Sequence, residues 1–150
     1  MKIESIRLKN FKAFKNTLMS DMPSLCVIVG ANGVGKSTFF EVFGFLKDAL
    51  ADNVSKALNK QGGFREVKSR DSDGDIEIEI QFREAASKPL VTYFIAIEED
   101  EKGTPIIKRE VLKYGSGCNS QPWYFLDFAR GILRYFDKGE NEIRGYGSFQ

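Results

Sequence analysis

The sequence has no histidine, only two cysteines, four prolines and a single tryptophan in 150 residues. Without an imidazole there is no Ser-His or Cys-His nucleophile pair and no histidine acid–base. Most zinc ligand sets are excluded as well. Two cysteines cannot build a disulfide scaffold of the small secreted type, and they point to a reducing, cytosolic home. One sign of charge hardly exceeds the other: 22 Lys and Arg face 21 Asp and Glu. Whole-chain basicity therefore gives no reason to expect nucleic-acid or membrane binding. No apolar run approaches the ~20 residues that span a bilayer. The opening residues, Met1 to Ile6, lack the apolar stretch of a signal peptide. The expectation is a cytoplasmic protein with no membrane partner.

What is present is an ordinary globular composition, 42% apolar and 29% charged. Ile3, Ile6 and Leu8 lie among Glu4, Arg7 and Lys9, which predicts a first strand over residues 3–10. Residues 1–16 hold five cations against one carboxylate. That stretch is either the charged edge of a strand or a contact for DNA. A break at Met22-Pro23-Ser24 precedes the continuous apolar run Leu25-Cys26-Val27-Ile28-Val29. Its length and β-branching predict a strand buried on both faces, as in a parallel sheet, with Cys26 as a small core thiol. From Lys36 to about Leu50 a helix is predicted, with Phe39, Phe43, Leu46 and Leu50 on one face. Asp52 is the expected N-cap of a second, short helix that ends before Gly62-Gly63.

Beyond Ser69 the period changes. Asp71-Ser72-Asp73-Gly74-Asp75 reads as a solvated acidic turn and lacks the spacing of a calcium loop. Ile76, Ile78, Ile80 and Phe82 alternate with Glu77, Glu79 and Gln81, a half-buried strand. Further strands are predicted over residues 90–97, 106–114 and 123–128, with a hairpin turn at residues 99–103. Trp123, Tyr124, Phe125 and Phe128 suit packing better than base stacking. The coarse picture is α/β: a βα unit followed by an antiparallel meander.

One motif carries chemistry. Gly30-Ala31-Asn32-Gly33-Val34-Gly35-Lys36-Ser37 is G-x-x-x-x-G-K-[ST], the phosphate-binding Walker A loop. Glycines let the backbone curl with its N–H groups turned inward. The following helix N-terminus adds about half a positive charge. Lys36 is placed to reach the β- and γ-phosphates, and the Ser37 hydroxyl to bind Mg²⁺. With 14 glycines in the chain, chance gives the four fixed positions in about one such sequence in a hundred. The flanking strand and helix signals lower that figure further.

Together with this loop, Leu8-Lys9-Asn10-Phe11-Lys12 resembles the start of the ABC-type ATPase heads of the SMC and RecF group. Gly62-Gly63-Phe64, Val67, Ser69 and the Ile/Glu strand are similar to a narrower branch, the bacterial stand-alone AAA-family ATPases with ABC-type heads, many of them linked to phage defence. The resemblance covers roughly residues 1–130. It implies a P-loop NTPase fold: the N-terminal lobe of a head with a parallel core strand, a P-loop helix and an antiparallel meander. It implies ATP and Mg²⁺ as cofactors, held by Gly30, Ala31, Asn32, Gly33, Val34, Gly35, Lys36, Ser37 and Thr38. It also places Asn10 and Lys12 beside the nucleotide, although Lys12 reads equally well as a surface lysine. The implied partner is a second ATPase head, as a homodimer or a complementing chain, with DNA contact as in related heads.

Several parts of such a head are missing from the sequence. No apolar run ends in Asp-Glu, and the switch histidine is absent. Glu98-Glu99-Asp100 follows an apolar stretch but reads as a hairpin end. Ser116-Gly117 makes no convincing signature motif, Gln81 sits within a strand, and Gln150 is terminal. The 150 residues are thus expected to form a partial head that binds ATP–Mg²⁺ and hydrolyses little alone. The alternative is a non-catalytic nucleotide-binding or assembly subunit. A GTPase or kinase is disfavoured, because no Asn-Lys-x-Asp motif follows and the chain after the first helix is a meander.

Overall fold

The computed structural model describes residues 1–31, 33, 35–115, 123–129, 132–136 and 142–145. Its frame is an eight-stranded sheet in the order β2-β1-β3-β4-β5-β6-β7-β8. The strands are β1 (Lys2–Phe11), β2 (Phe14–Met19), β3 (Ile76–Arg83), β4 (Val91–Glu99), β5 (Pro105–Tyr114), β6 (Trp123–Ala129), β7 (Ile132–Phe136) and β8 (Glu142–Gly145). Every pairing among them is antiparallel. The one neighbour pair that is not consecutive is β1–β3. Its connection carries the phosphate loop and three helices: α1 (Lys36–Ala51), α2 (Val54–Lys60) and α3 (Phe64–Val67).

The Ile/Glu alternation of β3 gives one buried face, Ile76, Ile78 and Ile80, as its period of two requires. β1 matches it across the ladder, Leu8 opposite Ile78 and Ile6 opposite Ile80. A register shift between Ile3 and Ser5 then restores Ile3 to the same face, opposite Phe82. Without that bulge Ile3 would point to the opposite face. The helices cover this side of the sheet. Phe39, Val42, Phe45 and Leu46 of α1 join Val54, Ala57 and Leu58 of α2 in one apolar core with β1, β3 and β4. Phe45 meets Phe11 at 5.9 Å between ring centroids, tilted by 58°.

The strand expected at residues 25–29 does not form. These residues carry no strand or helix, and Leu25, Val27 and Val29 are 82%, 74% and 83% exposed. A two-faced apolar strand needs neighbours on both edges and layers on both faces. The antiparallel sheet supplies neither, because β2 forms its edge and the helices already fill its covered face. The predicted parallel core strand is therefore not seen, and Cys26 is exposed rather than a core thiol.

Two smaller expectations shift by a residue or so. The N-cap of α2 is Asn53, not Asp52; its side chain accepts a hydrogen bond from the Lys56 N–H at 2.9 Å. The buried stripe of α1 is Phe39, Val42, Phe45 and Leu46, whereas Phe43 is half-buried and Leu50 exposed. Strand β2 was not anticipated, since only Phe14, Thr17 and Met19 of its six residues gain cover. The loop expected around Cys118 lies outside the described residues.

Candidate functional site

Gly33 and Gly35 both hold left-handed backbone, with φ of 86° and 95°. L-residues with a side chain rarely adopt that conformation, so the loop needs glycine at both positions. Gly35 is the N-cap of α1 and gives the helix no side-chain cap. Its carbonyl accepts the first intrahelical bond, from the Phe39 N–H at 3.0 Å. The first turn carries no acidic residue. Uncapped N–H groups at the start of a 16-residue helix are a ready anion site. They open onto a hollow of about 340 Å³ lined by Gly33, Gly35, Lys36, Ser37 and Thr38.

Lys36 turns back over its own loop. Its ammonium donates to the Gly30 carbonyl and, at 2.5 Å, to the Ala31 carbonyl. Those carbonyls occupy the cation where an anionic ligand would otherwise receive it. Ser37 is exposed and Thr38 half-buried at the same helix start. Asn32 and Val34 lie outside the described residues. The chemistry of this donor set fits a phosphate group: backbone N–H donors, one ammonium and a hydroxyl, with no carboxylate in the first turn. For Mg²⁺ the set offers the Ser37 hydroxyl. Among the described residues no cluster of three or more His, Cys, Asp or Glu is placed to hold a metal.

The β1–β2 turn stands beside this loop. A Cβ on Gly35 would meet the Ala13 Cβ and the Phe14 ring, each at 3.6 Å. Three tethers fix the turn. The Lys12 N–H donates to the Val67 carbonyl at 2.6 Å. The Ser69 hydroxyl donates to the Lys12 carbonyl at 2.7 Å, with the Phe14 carbonyl at 3.2 Å. Lys12 also reaches Glu41 of α1 through its ammonium, which ties the turn to the helix.

Asn10 is placed in the interior, 4% exposed. Its amide nitrogen donates to the Asp73 carbonyl at 2.8 Å and the Asp75 carbonyl at 3.0 Å. Both N–H donors thereby latch the acidic turn to β1. Sequence reasoning did not find Ser69 or Glu41 as positioning groups. Ser69 entered only through the family resemblance, and its positioning role has no local signal because it depends on a turn 57 residues away.

Other features settle as structural. Glu98 and Glu99 end β4 at a hairpin. The Asp100 carboxylate accepts from the Thr104 N–H at 2.8 Å and the Lys102 N–H at 2.9 Å. The Thr104 bond, first of these, holds its pKa below the usual carboxylate value. Gln81 sits in β3 and accepts from the Ser5 hydroxyl at 2.9 Å. A broader hollow of about 690 Å³ lies at the β1–β2 turn. Lys12, Lys15, Lys68 and Arg70 line it, with Glu66 and Asp71 opposing them.

A glycine-pinned loop opening an uncapped helix, with a lysine at its first position, defines a P-loop nucleotide-binding protein. Residues 1–127 match the family described as AAA ATPase domain, and the chain belongs to it. It is also similar to a protein of Helicobacter pylori (strain ATCC 700392 / 26695) named ATP/GTP phosphatase, 46% identical over 44 residues. That similarity covers 29% of this chain and 12% of the relative, so the chain matches only a small part of that protein. Among the described residues no helix is long and apolar enough to cross a membrane.

Proposed function

We propose that this chain binds the triphosphate of ATP with Mg²⁺ and forms the phosphate-loop lobe of an SMC/RecF-like ATPase head. Hydrolysis then belongs to a pair of heads, in DNA transactions or phage defence. The carrying observation is the start of α1: Gly33 and Gly35 in left-handed backbone, then Lys36 and Ser37 on a helix with no side-chain cap. Lys36 leaves the Gly30 and Ala31 carbonyls and donates to the phosphates, and Ser37 supplies one oxygen for the metal. Mg²⁺ held with the nucleotide would supply positive charge against the phosphate oxygens. The β1–β2 turn flanks the loop through Ala13 and Phe14 beside Gly35, and Lys12 is tied to Glu41 of α1.

Two observations support the wider reading. Exposed Leu25, Val27 and Val29 are suited to neighbouring strands from the remainder of a head. The basic hollow around Lys15, Lys68 and Arg70 suits a phosphate backbone. The alternative, a subunit that binds nucleotide without turnover, is favoured by the lack of an apolar run ending in Asp-Glu. Such a run provides the acid that holds Mg²⁺ and helps orient the attacking water.

Titration calorimetry with ATP and Mg²⁺ tests the proposal. Removing one charged hydrogen-bonding group costs about 1.5–3 kcal/mol, so Lys36→Ala is expected to weaken binding roughly 10- to 150-fold. The melting temperature should stay near that of the parent, because among the described residues the Lys36 ammonium bonds to its own loop alone. Unchanged affinity would place the nucleotide elsewhere.

A further inference from the structure

The sheet continues past the helices, and a cavity of about 480 Å³ opens where α1 stops covering it. Phe43, Leu46 and Leu50 of α1 form one wall. Ile3, Phe82 and Leu112 contribute to the other. The volume falls within the range of small-molecule sites, which are largely apolar with a few placed polar groups.

One residue breaks the apolar pattern. On β5 the positions facing the helices are fixed by pairing with β4: Ile107 opposite Ile97, Glu110 opposite Ile95, Leu112 opposite Tyr93. Alternation calls for an apolar side chain at residue 110, and a carboxylate stands there. It lines the cavity. One of its oxygens accepts a hydrogen bond from the Tyr93 hydroxyl at 2.7 Å. The other has no hydrogen-bond or ion-pair partner among the described residues. A carboxylate among aliphatic side chains is costly unless its acceptors are satisfied. Tyrosine satisfies one oxygen, while the other, on a half-buried residue, stays open to solvent and to a ligand in the cavity; burial together with the neighbouring carboxylate keeps the tyrosine hydroxyl protonated well beyond its usual range.

We infer that this cavity binds a small amphiphilic cation: an apolar body lying between α1 and the sheet, with a protonated amine donating to the free oxygen of Glu110. The apolar walls select the body and the lone carboxylate selects the head. The site is separate from the phosphate loop, and it stands whether or not that loop binds ATP.

Calorimetric titration of the whole chain with n-octylammonium, 1-octanol and octanoate tests this. An ionic hydrogen bond is worth about tenfold or more, so octylammonium is expected to bind at least tenfold more tightly than octanol, and octanoate more weakly than either. Glu110→Gln should bring octylammonium down to the level of octanol and leave octanol binding in place. Leu50→Trp, at the exposed rim, should weaken both by filling the cavity. Equal binding of the three probes, or an ammonium preference that survives Glu110→Gln, overturns the proposal. So does a chain that self-associates in sedimentation and is made monomeric by Leu50→Lys, because the face would then belong to a second copy.

Discussion

Replacing Asn10 by alanine separates two roles that this residue can have. Its amide makes two hydrogen bonds to the acidic turn, at 2.8 and 3.0 Å. Its backbone sits at φ 55°, a region asparagine tolerates better than alanine. The turn lies at the surface, so its carbonyls can find water after the change, and each lost bond is worth about 1 kcal/mol. The left-handed backbone adds about 1 kcal/mol against alanine. The expected destabilisation is about 3 kcal/mol, and with the usual unfolding entropy of a 150-residue chain this is a fall in melting temperature of roughly 10 °C. Asn10→Gly, free of the backbone penalty, should lose about 2 kcal/mol. Circular dichroism melts and urea titrations read both variants. If Asn10→Ala melted within about 2 °C of the parent while its affinity for ATP fell tenfold or more, the amide would serve the nucleotide, and the assignment to the turn would be wrong.

Cys26, exposed in a segment without regular structure, should react with a thiol reagent in the native chain as fast as in urea. A Cys118→Ser background isolates the signal, and protection until unfolding would show that residues 25–29 are covered. Phe45→Ala should cost about 3–5 kcal/mol, as large core aromatics do, because Phe45 is fully buried against Phe11; a urea midpoint that does not move would put the core elsewhere. The Asp100 carboxyl titrates below its usual 3.8. A depressed native pKa adds stability above the unfolded value and loses it as pH falls through the native one. Stability should therefore decline below about pH 4, less steeply in Asp100→Asn; identical acid limbs for the two proteins would exclude the turn from that response.

The parts of the fold visible in the sequence are those whose pattern is local. The Ile/Glu alternation of β3 and the glycines that end α2 are complete within a few residues. The phosphate loop is legible for the same reason, since glycine, lysine and serine at fixed spacing dictate its shape. Residues 25–29 misled because an apolar run states a need for burial without stating what will provide it. β2 was hidden because an edge strand is half solvated and its polar residues are free to vary. The face of α1 was misjudged by about one position, because Phe43 and Leu50 stand over an open cavity above the sheet rather than against packed side chains. The roles of Asn10 and Ser69 could not be read at all, for their partners lie dozens of residues away.

The pairing of β1 with β3 has a consequence for how the chain is made. β1 ends at Phe11, and its neighbour does not finish until Arg83. At 5–20 residues per second the ribosome needs roughly 4 to 14 seconds to deliver that interval. During the wait Ile6 and Leu8 lack the ladder that later buries them. The two-residue connection to β2 shortens their exposure, because a hairpin closes within about 1–10 microseconds. An edge strand that contributes little to the finished core thus occupies one open edge of β1 early, leaving only the other edge free to pair with another nascent chain until β3 arrives.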